Sequence, residues 1–418
     1  MSRGPGLSRR ALVQGVRVVV ALTVLSLAWR AWRTVAGDPA QLKQVLDAVQ
    51  PGWLLVAAVF ALMEGVLGGL RIFVLARVLH DRIRLRTAVI SEFVLMFCAG
   101  VTPGQAGAAP SQVAVLAHSG MRLTDAWTAQ LLTAWTTIVV MLGGALALIG
   151  MRASGLLVVE MGPELDGLLT VSVVVFGSGL VVLTLAALRP RMLSAVIVRL
   201  TGALVPVLRA SLGCVARLPA AKSKATHAAE RLDSLATRML AEVERMFAGF
   251  ATYRQRGKAA CAAGLALTAG LFASRFSVAW FILLALGIST TAAVPVSPAP
   301  DFVQVLLVQG LLNFALYLSP TPGASGVAEL GSASLMAPWV RGPVEVPYLV
   351  LWRLLSLFLG MLVGGVYVFR YLGTDVLAEG ADEEGADETT DAVADEAAGN
   401  EGDPPVASAI SASDRTAG

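Results

Sequence analysis

Seven ionisable side chains stand inside apolar stretches of the chain: Arg17, Glu64, Arg71, Glu92, Arg275, Glu329 and Arg353. At the centre of a bilayer such a group costs about 3 kcal/mol on insertion scales, so each needs a partner or water. Arg17 lies near the end of its stretch and can snorkel to the interface. Arg71 and Arg275 have two readings. Either they form buried ion pairs with Glu64, Glu92 or Glu329 that fix helix packing, or they grip a phosphate, to which guanidinium offers a planar, permanently charged fork. Arg353, close to the start of its stretch, either snorkels outward or joins that site. Glu64 stands seven residues before Arg71, two turns along one helix face. It either orients that arginine when no substrate is bound or carries a proton.

The elements that must position these groups are membrane helices. Of 418 residues, 56% are apolar and 15% charged, and the mean hydropathy is +0.72, values that exclude an ordinary soluble domain. Apolar windows of spanning length fall at about 11–29, 51–79, 125–149, 167–188, 258–288 and 345–370. The first follows a basic start, but no small-residue cleavage site succeeds it, so it reads as an uncleaved helix. Three scattered cysteines and three scattered histidines show no metal-ligand spacing, and neither a metal site nor a disulfide framework is expected.

Two further apolar runs, 87–101 and 303–318, break at the same tripeptide. The first continues as VTPGQAG and the second as PTPGASG. At an offset of 219, Thr102, Pro103, Gly104 and Gly107 align with Thr321, Pro322, Gly323 and Gly326, which points to internal duplication. A second echo agrees with it: GGLRIF around Arg71 parallels FASRFS around Arg275. Proline ends a helix and glycine permits the turn that follows. Short helices are expected to restart at 105–118 and 324–336, with free N–H groups and positive dipole ends facing the membrane interior. Non-helical backbone survives at that depth only where protein buries it or water reaches it.

Orientation follows from Lys and Arg in the connections. The N-terminus, 77–86, 118–125, 189–258 and Arg370 together carry 22, and the opposite set carries five, so the N-terminus is expected in the cytoplasm. That count closes only if both TPG segments are re-entrant hairpins. The fold class expected is therefore an all-α polytopic membrane protein, with about six full transmembrane helices plus two re-entrant helical hairpins in two inverted repeats. Repeat one covers about 11–150 and repeat two about 167–370. Between them lies a basic cytoplasmic segment, 189–257, with an apolar stripe from Leu232 to Phe250 at helical spacing. The stripe lies on the inner leaflet or packs on a neighbouring helix. From Thr374 onward 13 acidic residues face one arginine, so 374–418 is expected to be a disordered acidic tail beyond a 1–370 membrane domain.

At PTPGASGVAE, VTPGQAG and the arginine of LRIF the chain resembles the transmembrane region of lysylphosphatidylglycerol synthases and the wider flippase-like family. The resemblance covers about residues 10–370. It implies a lipid-translocating fold, lipid or lipid-linked substrates, and site roles for Arg71, Arg275, Asn313, Pro322, Gly323, Gly326 and Glu329. One stretch departs from the family pattern: after the first Pro-Gly, an acidic residue and an arginine give way to GAAPSQVAVL. The aminoacyltransferase domain of the bifunctional synthases has no counterpart, so no enzyme activity is expected.

The function expected is a carrier that moves an anionic phospholipid or a polyprenyl-phosphate-linked lipid between leaflets of the cell membrane. Its headgroup would sit at the hairpin tips, with Glu64, Glu92 and Glu329 compensating charge in the empty site. No phosphate-binding GxxxxGK[ST] loop and no cofactor motif is present in the sequence. The alternative is a non-transporting membrane partner of a glycosyltransferase or envelope-assembly complex, docking through 189–257 or the tail.

Overall fold

Proline and glycine punctuate the helices. Pro51 opens one at its first turn, where the lost N–H had no intrahelical partner, while Pro103 and Pro322 stand where two others stop. The structure, a computed structural model, describes residues 9–35, 43, 45, 47–155, 163–188, 245–246, 249–288 and 301–370. Its long helices are α1 (Arg9–Val35), α2 (Pro51–Ala76), α3 (Leu85–Val101), α4 (Ala108–His118), α5 (Leu123–Ala153), α6 (Pro163–Leu188), α7 (Lys258–Ala285), α8 (Phe302–Leu318) and α9 (Val327–Leu335). The last, α10 (Glu345–Arg353), continues through a π-helical turn at Leu354–Phe358 to Arg370. No strand occurs among the described residues.

Four of these helices are long and apolar enough to cross a membrane: Pro51–Ala76, Leu123–Ala153, Lys258–Ala285 and Gly342–Arg370. Two other windows expected to span, in α1 and α6, are shorter in their apolar parts, Leu12–Ala28 and Leu169–Leu185. Arg17 is exposed on α1. Most of the basic segment and all of the acidic tail lie outside the described residues. Contacts divide the chain into Met1–Tyr367 and Val368–Gly418.

Helices α2 and α7, which carry the two echoing arginines, pack antiparallel along their length. Gln50 N–H donates to the Ala285 carbonyl (2.8 Å) at one end, and Ser274 Oγ donates to the Phe60 carbonyl (2.8 Å) further along. At the other end Leu75 lies where a Cβ on Gly264 would come within 3.3 Å of it. Helices α3 and α4 fold back on each other around 102–107, so Gln112 returns beside Ser91 and Glu92. Helices α8 and α9 do the same around 319–326, bringing Gly331 against Leu312. The two tips pack on one another.

The main core gathers α2, α5, α7, α8 and α10 around fully buried Val278, Ile282, Leu312 and Tyr348. Phe250, the end of the predicted apolar stripe, is buried with Leu75, Leu132 and Tyr253. The Tyr253 hydroxyl donates to the Leu75 carbonyl, and burial pushes its phenol well above the usual range, so it stays a neutral donor.

Candidate functional site

The two TPG turns share one backbone geometry. Thr102 and Thr321 are extended, Gly104 and Gly323 have φ of 57° and 59°, and the next residues, Gln105 and Ala324, are also left-handed. Such a conformation costs a residue with a Cβ roughly 1–2 kcal/mol, so its presence at both tips is a built feature.

Beyond that point the tips diverge. At the first, Thr102 Oγ1 donates to the Cys98 carbonyl (2.6 Å) and accepts from Gly107 N–H (2.9 Å). At the second, Gly326 has φ of 89°, and its N–H donates to Glu329 Oε2 (2.6 Å). The backbone donors of the turns are therefore largely used internally. Gln105, Ala106, Ala324 and Ser325 N–H groups close their own tight turns. This corrects part of the expectation that both tips aim free N–H groups at a ligand: the turns use their own donors, and Thr102 and Glu329 take the cap N–H groups of the two helix starts.

Three arginine–glutamate pairs meet around these tips. Arg275 Nε donates to Glu64 Oε1 (2.9 Å), with a second bond from Nη2, and Arg275 Nη1 donates to Asn313 Oδ1 (3.3 Å). Arg71 Nη2 reaches Glu92 Oε1 (3.4 Å) while Nη1 donates to Thr137 Oγ1 (3.0 Å). Arg353 Nε donates to Glu329 Oε1 (2.7 Å), and its Nη1 donates to the Gly323 carbonyl (3.1 Å). Two expectations are corrected here. Glu64 pairs with Arg275 across the antiparallel helix pair and not with Arg71, because two turns of one helix leave about 10 Å between them. Arg353 does not snorkel: its side chain is 3% exposed, held by Glu329 and the tip carbonyls.

A cavity of about 410 Å³ lies among these groups. Arg71, Arg275, Arg353, Glu64, Glu92 and Asn313 line it, together with Gly323. Thr102, Pro103, Gly104, Gly107, Thr321, Pro322 and Gly326 do not: they build the turns. Glu329 is fully buried behind Arg353. The cavity is thus lined by paired charges beside two Pro-Gly turns. A model of the lysylphosphatidylglycerol synthase TM region matches residues 16–364. The chain belongs to this family. No curated protein matches it. Family and apolar helices together make it a multi-pass membrane protein of a lipid-related family.

Within this TM-region chain, sequence reasoning missed the neutral polar groups. Gln112 Nε2 donates to Glu92 Oε2 (2.7 Å) and so holds the carboxylate that holds Arg71. Thr137, Gln105 and Gln130 line the cavity. The signal was present for Gln112, a lone amide in an otherwise small and apolar hairpin arm.

Glycine makes the Arg71 pair possible. A Cβ on Gly68 would overlap the Glu92 carboxylate, the far end of a flexible side chain. Gly68→Ala is therefore expected to push that carboxylate away, at a cost of about 1–3 kcal/mol. Thermal melting of the purified protein should show the loss, and adding Glu92→Asp, one methylene shorter, should recover part of it. A Gly68→Ala protein as stable as wild type would show that the carboxylate has room to spare.

Proposed function

We propose that the protein carries an anionic, phosphate-bearing lipid between the leaflets of a cell membrane, as a passive or ion-coupled carrier and not as an enzyme. A phospholipid and a polyprenyl-phosphate lipid both fit this description. The observation that carries the reading is the cavity at the hairpin tips with three arginines on its wall. A space of about 410 Å³ suits a headgroup and leaves the acyl chains in the bilayer.

The membrane arrangement we propose has six crossing helices and two re-entrant hairpins in inverted repeats, about 11–150 and 167–370, with both termini cytoplasmic. Supporting it are the antiparallel α2 and α7 and the short return arms. Helices α4 and α9 have 11 and 9 residues. At 1.5 Å per residue they reach about 16 and 14 Å, half of a ~30 Å hydrocarbon core.

Each of the three arginines is balanced by a glutamate, so a phosphate must compete for its donors. Arg275 is where competition is easiest. Its side chain is 30% exposed, against 6% for Arg71 and 3% for Arg353. A phosphate arriving there displaces Glu64, whose carboxylate then takes a proton or another donor.

The test is leaflet exchange of labelled phosphatidylglycerol, and of a polyprenyl-phosphate lipid, in proteoliposomes. Arg275→Gln with Glu64→Gln removes both charges together and so avoids leaving one buried alone. Exchange by wild type and a loss of at least tenfold in this double variant are expected. Wild-type exchange no faster than in empty liposomes, for every lipid tried, would sink the carrier reading and favour a non-transporting partner.

A further inference from the structure

The three arginine–glutamate pairs are not equivalent, and they differ in what each carboxylate keeps when its arginine turns away. Glu92 accepts from Arg71 on one oxygen and from Gln112 Nε2 (2.7 Å) on the other. Glu329 accepts from Arg353 on one oxygen and from Gly326 N–H (2.6 Å) on the other. Glu64 accepts from Arg275 alone among the described residues, and both bonds fall on the single oxygen Oε1. Asn313, the other group on Arg275, turns its oxygen to that arginine and its amide nitrogen to Met141 (3.5 Å), so it donates nothing to Glu64. The Glu64 side chain is buried yet lines the cavity, and its arginine is the most exposed of the three.

The charges around Glu64 close to zero. The ionisable groups that share the cavity wall with it are Arg71 on its own helix, Arg275 on α7, Glu92 on α3, Tyr317 on α8 and Arg353 on α10, with Glu329 behind the last. Helices α4, α5 and α6 contribute only neutral residues to that wall. Three arginines thus meet three glutamates. A phosphodiester adds one negative charge to this balanced set, at a depth where an unbalanced charge is costly.

However the phosphate reaches Arg275, Glu64 bears the consequence. If it takes the Nε and Nη2 donors, Glu64 is left buried without a hydrogen bond from the protein, and a carboxylate in that state neutralises by taking up a proton. If it takes Nη1 and leaves Glu64 in place, two anions share one guanidinium, and like charges that close do not both stay ionised. Either route ends in a protonated carboxyl, whose O–H can donate to a phosphate oxygen. Glu92 and Glu329 need no such proton, because each keeps a second donor.

We infer that the proton is a second substrate of the carrier: Glu64 takes up one proton for each phosphodiester lipid that binds at Arg275, and the two cross together. This inference rests on the proposed carrier function and supplies its energy source. The proton leaves water on the side from which the lipid enters, and no bond of the lipid changes. The loaded site holds three guanidinium groups, two carboxylates and one phosphodiester, so it is neutral, as the unloaded site is. Its movement is therefore indifferent to membrane potential and follows a pH gradient, carrying lipid toward the less acidic side.

The experiment counts the proton. Full-length protein in detergent is titrated calorimetrically with dihexanoyl phosphatidylglycerol, a diester with no proton to exchange near neutral pH, in two buffers of different ionisation heat. Wild type is expected to take up about one proton per lipid, and its binding to weaken about tenfold for each unit by which pH rises above about 7. Glu64→Gln, neutral at every pH, binds with no proton uptake and no such slope. Glu64→Asp, still ionisable, keeps the uptake. Melting curves check that the variants fold; if Glu64→Gln does not, the wild-type count and slope still decide. Wild-type binding without proton uptake, uptake that persists in Glu64→Gln, or no binding by wild type overturns the inference. Proteoliposomes separate it from the carrier function. Relative to protein-free vesicles, an imposed pH gradient is expected to enrich labelled phosphatidylglycerol on the less acidic side by up to about tenfold per unit of gradient, and a potassium diffusion potential to leave it unmoved. Wild type that exchanges lipid without responding to the gradient refutes the coupling alone. Wild type that binds lipid with its proton but exchanges none refutes the carrier alone.

Discussion

Replacing Glu329 by Gln is expected to destabilise the protein by about 3–5 kcal/mol, the usual consequence of stripping one partner from a buried ion pair. The carboxylate is fully buried, and Arg353 beside it is 3% exposed. After the substitution the guanidinium is left with neutral acceptors alone, the new amide oxygen and the carbonyls of Gly323 and Ala324 at 3.1 and 3.5 Å. Carbonyl dipoles offset part of a buried cation but do not neutralise it. The α9 start also loses the charge that Gly326 N–H and the helix dipole share. Removing both charges, as Glu329→Gln with Arg353→Met, should recover most of the loss, because no unpaired ion is then left inside. Arg17→Gln, at an exposed position, should change stability by less than about 0.5 kcal/mol. Denaturation of the purified proteins in one detergent compares all three. A Glu329→Gln protein within about 1 kcal/mol of wild type would mean that water reaches Arg353, contrary to its burial.

That pair also shows how far the sequence could be read. Repeated TPG turns, the echo of Arg71 in Arg275 and seven misplaced charges were all visible in the linear chain. They were visible because bilayer chemistry makes each one costly. The turns followed too, since proline ends a helix and glycine permits a left-handed turn whatever their neighbours. What could not be read was which charge meets which. Spacing along one helix suggested Glu64 for Arg71, but helix α7 runs antiparallel beside α2 and delivers Arg275 to Glu64 instead. Partner choice is a property of packing between segments some 200 residues apart, and periodicity within a segment carries none of it.

The neutral groups were hidden for another reason. Gln112, Gln130 and Thr137 cost less in an apolar run than an ion does, so they raise no alarm in a search for misplaced charge. Yet Thr137 accepts from Arg71, and Gln112 donates to the Glu92 carboxylate that pairs with it. The free N–H groups expected at both tips were half right. A helix start always leaves donors over, but in both halves a side chain of the same chain takes the cap N–H, Thr102 at Gly107 and Glu329 at Gly326.

Gly364→Ala is the second substitution expected to have a large effect, here through backbone contact. A Cβ at this position would overlap the Phe93 carbonyl oxygen, and it would stand 2.9 Å from Phe97 Cβ. Neither obstacle can step aside. The carbonyl belongs to the middle of α3, and the Phe97 Cβ is fixed by the same helix. The long helix that begins at α10 must therefore pull away from α3 as a body, at a cost of about 3 kcal/mol or more. Gly360→Ala is the internal control, because the Cβ there would meet the thioether end of Met96, which can swing away. It should cost less than about 1 kcal/mol. The functional consequence follows from geometry. Arg353 stands 11 residues before Gly364 on the same helix, so displacing that helix from the first hairpin shifts the arginine that holds the second tip. Gly364→Ala should lose stability and leaflet exchange together, whereas Gly360→Ala should keep both. Equal tolerance of the two alanines in melting curves would show that α10 and α3 slide freely. A Gly364→Ala protein that melts low yet exchanges lipid normally would uncouple the packing of this helix from the cavity.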